Sequence, residues 1–552
     1  MKNQFKYIAL GLVALSVSSC ADLDTVPLGG SVTAEQRQEA IAAKPELGVA
    51  GVTAISASYN RVGAVSGESY HYDFGYASLM LGFDSQAADL YSAHYGYNWF
   101  SNWQGYTNPN SNNIPTAMAW YYMYETIKIA NDVITTIGTE ATDAESLFFA
   151  AQARANRAHC YWVLANLYQF NYQHAPEGPE ALCVPIISDL NRDLVAAEGC
   201  PRSTVQEVYD FILEDLRIAI ENLEAANIDP SSVIASKAKR LVSKAAAYGI
   251  RARVHLSMGK YAEAALDAES AIANFKGRPY TRDEVSRPAF NNIDETSWMW
   301  GIAVAETDRA STSGIINFPS HICSFAYGYV TVGAWRYCAK NLFESIPDTD
   351  VRKGWFLDEN YESPNLSAEQ QEYLWGYVDP NGSAPNYEEG QTWIYPYTNV
   401  KFDSYQSVLY QSTNASDIPL MRVEEMYYIL AEAQANADLN TGIQTLVNFV
   451  KQYRNPKYSF TADAFADVQE EIFQQRRMEL WGEGLIWFDY MRLNKGVDRR
   501  ESASPNMYNY NIPAGSPELI YLVPYSEETA NNQIPEVTPN NEPGVRPTPI
   551  PQ

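Results

Sequence analysis

The run Arg476-Arg477-Met478-Glu479-Leu480-Trp481-Gly482-Glu483-Gly484-Leu485-Ile486-Trp487-Phe488-Asp489 limits what this chain can fold into more than any other feature. It lies in a helical pattern over 464–493, where Phe465, Val468, Ile472, Leu480 and Leu485 recur at roughly three- and four-residue steps. The charges share that helix. Arg476 and Arg477 stand just before Glu479, and Glu479 stands one turn before Glu483. Residues a turn apart are neighbours on a helix surface. Set among Trp481, Trp487 and Phe488, these charges are expected to form a buried ion-pair cluster with Arg477 partnering Glu479 or Glu483. Carboxylates beside arginines also lose the raised pKa that the acid of a glycosidase needs. The pair is therefore read as structural, not catalytic.

The rest of the regular pattern is helical. Segments 115–137, 145–172, 205–226, 236–258, 261–274, 423–437 and 441–453 carry amphipathic spacing. Ala252, Gly259, Tyr261, Ala264 and Ala271 match the small and aromatic positions of a tetratricopeptide unit. A second, weaker unit spans 422–453, with Ala431 and a turn at Asp438-Leu439-Asn440. A third is expected over 151–226, interrupted by an insertion at 173–203. Stacked helical wedges of this kind bury a shared core. The expected fold is mainly α, a tetratricopeptide-like helical-repeat scaffold with a large irregular insertion containing short strands and loops.

At the start, Lys2 and Lys6 precede the apolar run 7–15, and Ser18-Ser19 precede Cys20. This reads as a signal peptide over 1–19, with Cys20 as a lipidation site. The apolar run is too short to span a membrane. A net charge of −27 repels nucleic acid phosphates, so no nucleic acid partner is expected. Cys183 with Cys200, and Cys323 with Cys338, are possible disulfides outside the cytoplasm, whereas Cys160 reads as a buried thiol. The tail 535–552 is proline-rich and is expected to be a loose extension.

Two stretches combine aromatic rings with amides. In 91–106, Trp99, Phe100 and Trp103 alternate with Asn98, Asn102 and Gln104. The segment 275–420 holds Trp298, Trp300, Trp335, Trp355, Trp375 and Trp393 among turn-forming residues. Flat rings cover the apolar faces of sugars while amides meet the hydroxyl rims. Trp99 or Trp103 is expected to stack on a sugar ring, with Asn102 as a hydrogen-bonding neighbour. Trp298, Tyr327 or Trp335 would supply the opposite wall. Most tryptophans in any protein are core residues, and that reading competes at each of these positions. No nucleophile elbow, zinc-binding helix motif or phosphate-cradling loop is present, so neither an enzyme, a metal nor a cofactor is expected. Asp84 and Asp89 alone do not define a cation site.

The double arginine, Glu-Leu, Glu-Gly and aromatic pair with Asp489 resemble the C-terminal signature of the SusD/RagB family. Ile486 stands where the family often carries Arg, so one ion pair of the usual cluster is expected to be absent. The start Cys20-Ala21-Asp22-Leu23-Asp24 through Pro27, the tetratricopeptide units, and Val523-Pro524-Tyr525-Ser526-Glu527 with Asn531-Asn532 agree, with Gln533 replacing the usual Pro. The resemblance implies a surface lipoprotein of the outer membrane that binds oligosaccharide for a TonB-dependent transporter and caps its barrel as a hinged lid. It also implies glycan contact through the Trp99 loop. A RagB-like peptide binder is the first alternative, ahead of a glycoside hydrolase or a tetratricopeptide adaptor. The implied organisation is signal peptide 1–19, helical region 20–274, aromatic-rich ligand-side region 275–420, C-terminal helical region 421–534 and tail 535–552.

Overall fold

A computed structural model describes residues 34–92, 98–106, 114–138, 141–378, 394–500 and 509–534. The signal segment, Cys20, Trp393 and the tail 535–552 lie outside the described residues. Helix Val205–Ala226 shows how the scaffold is built. Thr204 accepts a hydrogen bond from the Glu207 N–H while the Glu207 side chain accepts from the Thr204 N–H, closing a capping box. Val205, Val208, Ile212, Leu216, Ala219 and Leu223 then repeat on one buried face. That face packs on helix Ala144–Tyr168, which also meets Ile114–Ile137.

Helices Lys244–Ser257 and Tyr261–Asn274 join at Gly259, whose φ of 70° lies in the left-handed region. Ala264, Ala268 and Ala271 are fully buried, so the second helix of this pair approaches Val423–Ala437 closely. Val423–Ala437 in turn packs on Leu439–Tyr453. The pairs therefore stack as the helical-repeat reading anticipates. No helix among the described residues is long and apolar enough to cross a membrane.

The helical pattern over 464–493 is broken in the structure. Helix Phe465–Glu479 stops at Leu480, and Ile486–Arg492 starts a second one. Gly482 and Gly484 between them have φ of 79° and 71°, which ends the first helix. A side chain at Gly484 would lie 2.5 Å from Met80, so the turn also needs the space. Glu483 consequently sits in a turn and not one helical step from Glu479. The described part of segment 275–420 is irregular, with strands Trp298–Ile302 and Arg336–Cys338 and short helical turns. The first strand pairs antiparallel with Ile418–Arg422, and the second with Leu90–Ser92. Both proposed disulfides are absent, because all five described cysteines are free and buried. Cys323 Sγ instead reaches the Phe402 carbonyl and Cys200 Sγ the Ile186 carbonyl.

The charge cluster is buried, as its apolar surroundings require, but its partners come from elsewhere in the chain. Glu479 accepts from Arg454 at 2.7 and 2.8 Å and from Arg422 at 3.0 Å, and Arg352 lies 3.6 Å away. Glu483 accepts from Lys401 at 2.6 Å and twice from Arg422 at 2.8 Å. Glu424 bridges Arg454 and the Tyr280 N–H, and Asp350 forks onto Arg352. Four cations thus meet four carboxylates. The arginines hold Glu479 and Glu483 below the usual carboxylate range against the opposing effect of burial. Arg477 does not touch this cluster: it forks onto Asp89 at 2.8 and 2.6 Å. Arg476 binds Asp489 at 2.7 Å, and Arg492 joins Asp489 to Glu432. The helical turn places Arg477 on the face opposite Glu479, which explains the exchange of partners.

Two outcomes follow for stability. Glu479→Ala takes from Arg454 its two-pronged partner and leaves the buried cluster one carboxylate short, and a loss of about 3–5 kcal/mol is expected. Urea unfolding followed by tryptophan fluorescence checks it, and an unchanged midpoint contradicts it. Arg477→Ala should be similarly costly through Asp89, with no direct effect on Glu479.

Asp84 accepts the Gly484 N–H at 2.9 Å and has no arginine fork. Burial pushes its carboxyl up to about 8, well above the unfolded value of 3.8. Between these values the folded state holds a proton that the unfolded chain lacks. Stability from this group is therefore full below the unfolded value and is lost as pH rises through the folded one. Asp84→Asn should remove that slope, so its melting temperature should gain on the parent between pH 5 and pH 8. A gain that runs the other way sinks the assignment.

Candidate ligand-binding site

Strand Leu90–Ser92 pairs with Arg336–Cys338, and beyond it Trp99 meets Tyr329. Trp99 is half-buried there. The His71 imidazole stacks on its indole at 4.7 Å with an interplanar angle of 26°. Tyr72 and Tyr329 meet the same indole edge-on, each at 6.3 Å. The Tyr329 hydroxyl hydrogen-bonds to His71 Nδ1, which fixes both rings. Burial holds the His71 ring below the ordinary imidazole value, so at pH 7 it is neutral and can donate or accept. The Trp99 indole N–H has no acceptor among the described residues.

Tyr70 and Tyr327, close in sequence to His71 and Tyr329, are exposed. Tyr70 stacks on Tyr72 at 5.3 Å and is exposed. Tyr327 packs edge-on against Tyr410 at 5.3 Å, with 39% and 49% of these residues exposed. The two are tied by backbone, since the Tyr327 N–H donates to the Gln411 carbonyl and the Tyr410 N–H to the Phe325 carbonyl. Val332 and Val408 add to the exposed apolar area. Where exposed apolar side chains gather into a patch, they mark interaction surfaces.

The sequence candidates separate sharply here. Trp99 and Tyr327 reach the surface, and Asn102 is half-buried on the short helix Ser101–Gln104. Trp103, Trp298 and Trp335 are fully buried. Trp103 donates its indole N–H to the Tyr521 hydroxyl at 3.1 Å and lies so close to Gly82 that a Cβ there would stand 2.5 Å away. Trp298 donates to the Tyr280 hydroxyl inside its strand, and Trp335 packs under Tyr377. These three are packing residues in this conformation, with no ring face open to a ligand. Tyr70, His71, Tyr329 and Tyr410 went unforeseen. The aromatic run Tyr70-His71-Tyr72 was the available signal, but its meeting with Trp99 depends on long-range strand pairing.

A charged group lies just behind the aromatic face. Arg336 is fully buried and donates to the His321 carbonyl at 3.0 Å and to Asn98 Oδ1 at 3.2 Å. Its guanidinium also lies over the Phe100 ring at 5.1 Å. Asn98 in turn donates to Gln104 at 2.6 Å. These contacts hold the backbone on either side of Trp99. Asp84 and Asp89 do not form a cation site, since Asp89 is occupied by Arg477 and Asp84 by Gly484. Glu479 and Glu483, both buried and ionised between arginines, lack the open, proton-bearing member that acid–base hydrolysis needs.

Residues 338–551 match the model of the SusD family, and residues 71–256 match a family described as starch-binding and associating with the outer membrane. A SusD-like protein of Formosa agariphila is 26% identical over 321 residues, which cover 54% of this chain and 59% of that relative. A SusD-like protein of Bacteroides ovatus is 24% identical over 522 residues, covering 88% and 83%. Among solved structures, a SusD-like carbohydrate binding protein from Bacteroides vulgatus superposes with a TM-score of 0.70 at 22% identity, covering 90% of this chain and 98% of the other. Surface glycan-binding protein A from Bacteroides thetaiotaomicron, solved in complex with laminarihexaose, gives 0.61 at 17% identity over 90% and 99%. The structural likeness establishes a common fold, and the two family models account for the sequence at both ends of it. The chain belongs to the SusD/RagB family.

Proposed function

We propose that the protein binds oligosaccharide on the Trp99–Tyr329 aromatic face and delivers it to a TonB-dependent transporter in the outer membrane. The half-buried Trp99, braced by His71 and Tyr329 and bordered by exposed tyrosines, is the observation that carries this reading. A rigid aromatic ledge suits the apolar face of a pyranose, and the neutral His71 and the tyrosine hydroxyls suit its rim. The laminarihexaose complex of a structural neighbour supports the same ligand class. The mechanism is binding and release, with no bond made or broken. Glu479 and Glu483 serve the fold.

Calorimetric titration against a hexasaccharide panel tests the reading. Trp99→Ala should lose about 2 kcal/mol of affinity, roughly thirtyfold, with its melting temperature kept. Trp103→Ala should instead destabilise the fold by about 3–5 kcal/mol, because it empties a core site. If Trp99→Ala binds like the parent, the aromatic face is not the site. If the parent ignores glycans and binds short peptides, the RagB-like reading replaces this one.

Anchoring is the second part of the proposal. Ser18-Ser19-Cys20 after a short apolar core supports removal of 1–19 and lipidation of Cys20. Cys20→Ala should shift the protein from the membrane fraction to the soluble one. An unmodified Cys20 in mass spectra of the mature protein contradicts the anchor.

A further inference from the structure

A cleft of about 910 Å³ is lined mainly by residues between 343 and 375. The turn Val351–Trp355, the loop leading to Ser367 and the helix Ala368–Trp375 form its sides, with Phe343 and Phe356 in its lining. This is the size range of pockets that hold small ligands. Its walls are fixed by internal hydrogen bonds. Gln371 donates to the Tyr361 carbonyl at 2.6 Å and accepts from the Ser363 N–H. Asn365 donates to the Val285 and Val351 carbonyls, and Ser363 to the Gly354 carbonyl at 2.6 Å. A capping box at Ser367 and Gln370 pins the start of the helix. The cleft is therefore already formed without a ligand.

Trp375 at the end of that helix lines the cleft and is 48% exposed. Every other described tryptophan is buried or half-buried. Arg282 lines the same cleft, is exposed, and makes no ion pair among the described residues. Lys353, also in the lining, is held by Asp348 and lies over the Phe343 ring at 5.2 Å. The cleft thus holds an open indole, fixed amides and a guanidinium with no ion pair among the described residues. It offers a stacking plane together with donors for ring hydroxyls.

We propose that this cleft is a second oligosaccharide-binding site, in which Trp375 stacks on a sugar ring and Arg282 hydrogen-bonds its hydroxyls. The inference rests on the glycan-binding reading above and adds a second point of contact. Two sites on one protein would hold a long surface polysaccharide by avidity, without any tighter single contact.

The test titrates laminarihexaose, maltohexaose, cellohexaose and xylohexaose into the full chain, Trp375→Ala, Trp99→Ala and the double variant. The parent should take two equivalents of its best hexasaccharide. Each single variant should take one, and the double variant none, with melting temperatures unchanged for Trp375→Ala. One equivalent in the parent, lost with Trp99→Ala and untouched by Trp375→Ala, overturns the second site and leaves the first. One equivalent lost only with Trp375→Ala supports the cleft and overturns the aromatic face. A parent that binds none of the four hexasaccharides overturns both.

Discussion

Glu479 is the point on which the rest of the structure depends. Its carboxylate draws Arg422, Arg454 and Arg352 from three separate segments into one buried site. Its own carbonyl takes a further bond from Lys401, which also reaches Glu483. Strand Ile418–Arg422, the end of helix Leu439–Tyr453 and the turn Val351–Trp355 are thereby fixed to the helix Phe465–Glu479. Taking so many charges out of water is expensive, and only full pairing offsets it. The balance of four cations with four carboxylates is what makes the cluster tolerable. Removing any one member leaves a charge that the interior cannot solvate.

That cluster also reaches the ligand side. Lys401 is two residues from Asn399, whose amide donates to the Ile322 and Arg336 carbonyls at 3.1 and 3.0 Å. Arg336 holds Asn98 beside Trp99, and His321 stacks on Tyr329 at 4.7 Å. Polar contacts, a short backbone link and a ring stack thus run from Glu483 to the aromatic face. The face is carried by loops, yet its rings are braced from behind by core residues. Such bracing reduces what a ligand must spend on ordering the site.

How much of this could be read from the residues alone depends on range. Local rules were enough for helices such as Val205–Ala226, where the capping box and the apolar repeat both lie within the segment. They failed at 480–485, where an apolar period continued across Gly482 and Gly484 although both glycines needed left-handed backbone. Burial of the charges was legible from Trp481, Trp487 and Phe488 beside them. Their partners were not, because Arg422, Arg454 and Lys401 meet Glu479 and Glu483 only after the chain has folded. Arg422 inside an apolar strand was the one visible clue. The same limit applied to the aromatics. Trp103 and Trp99 are equivalent in sequence, but Tyr521 and Gly82 bury one and leave the other at the surface.

On the proposed reading, a glycan rests on aromatic rings held outside the buried charge cluster. A crystal structure of the protein soaked with its best hexasaccharide tests it most directly. Sugar density over the indole of Trp99, bordered by His71, Tyr327 and Tyr329, with Glu479 and Glu483 still enclosed by arginines, is the predicted result. Sugar bound along the helical-repeat surface, or reaching Glu479 or Glu483, would contradict the account.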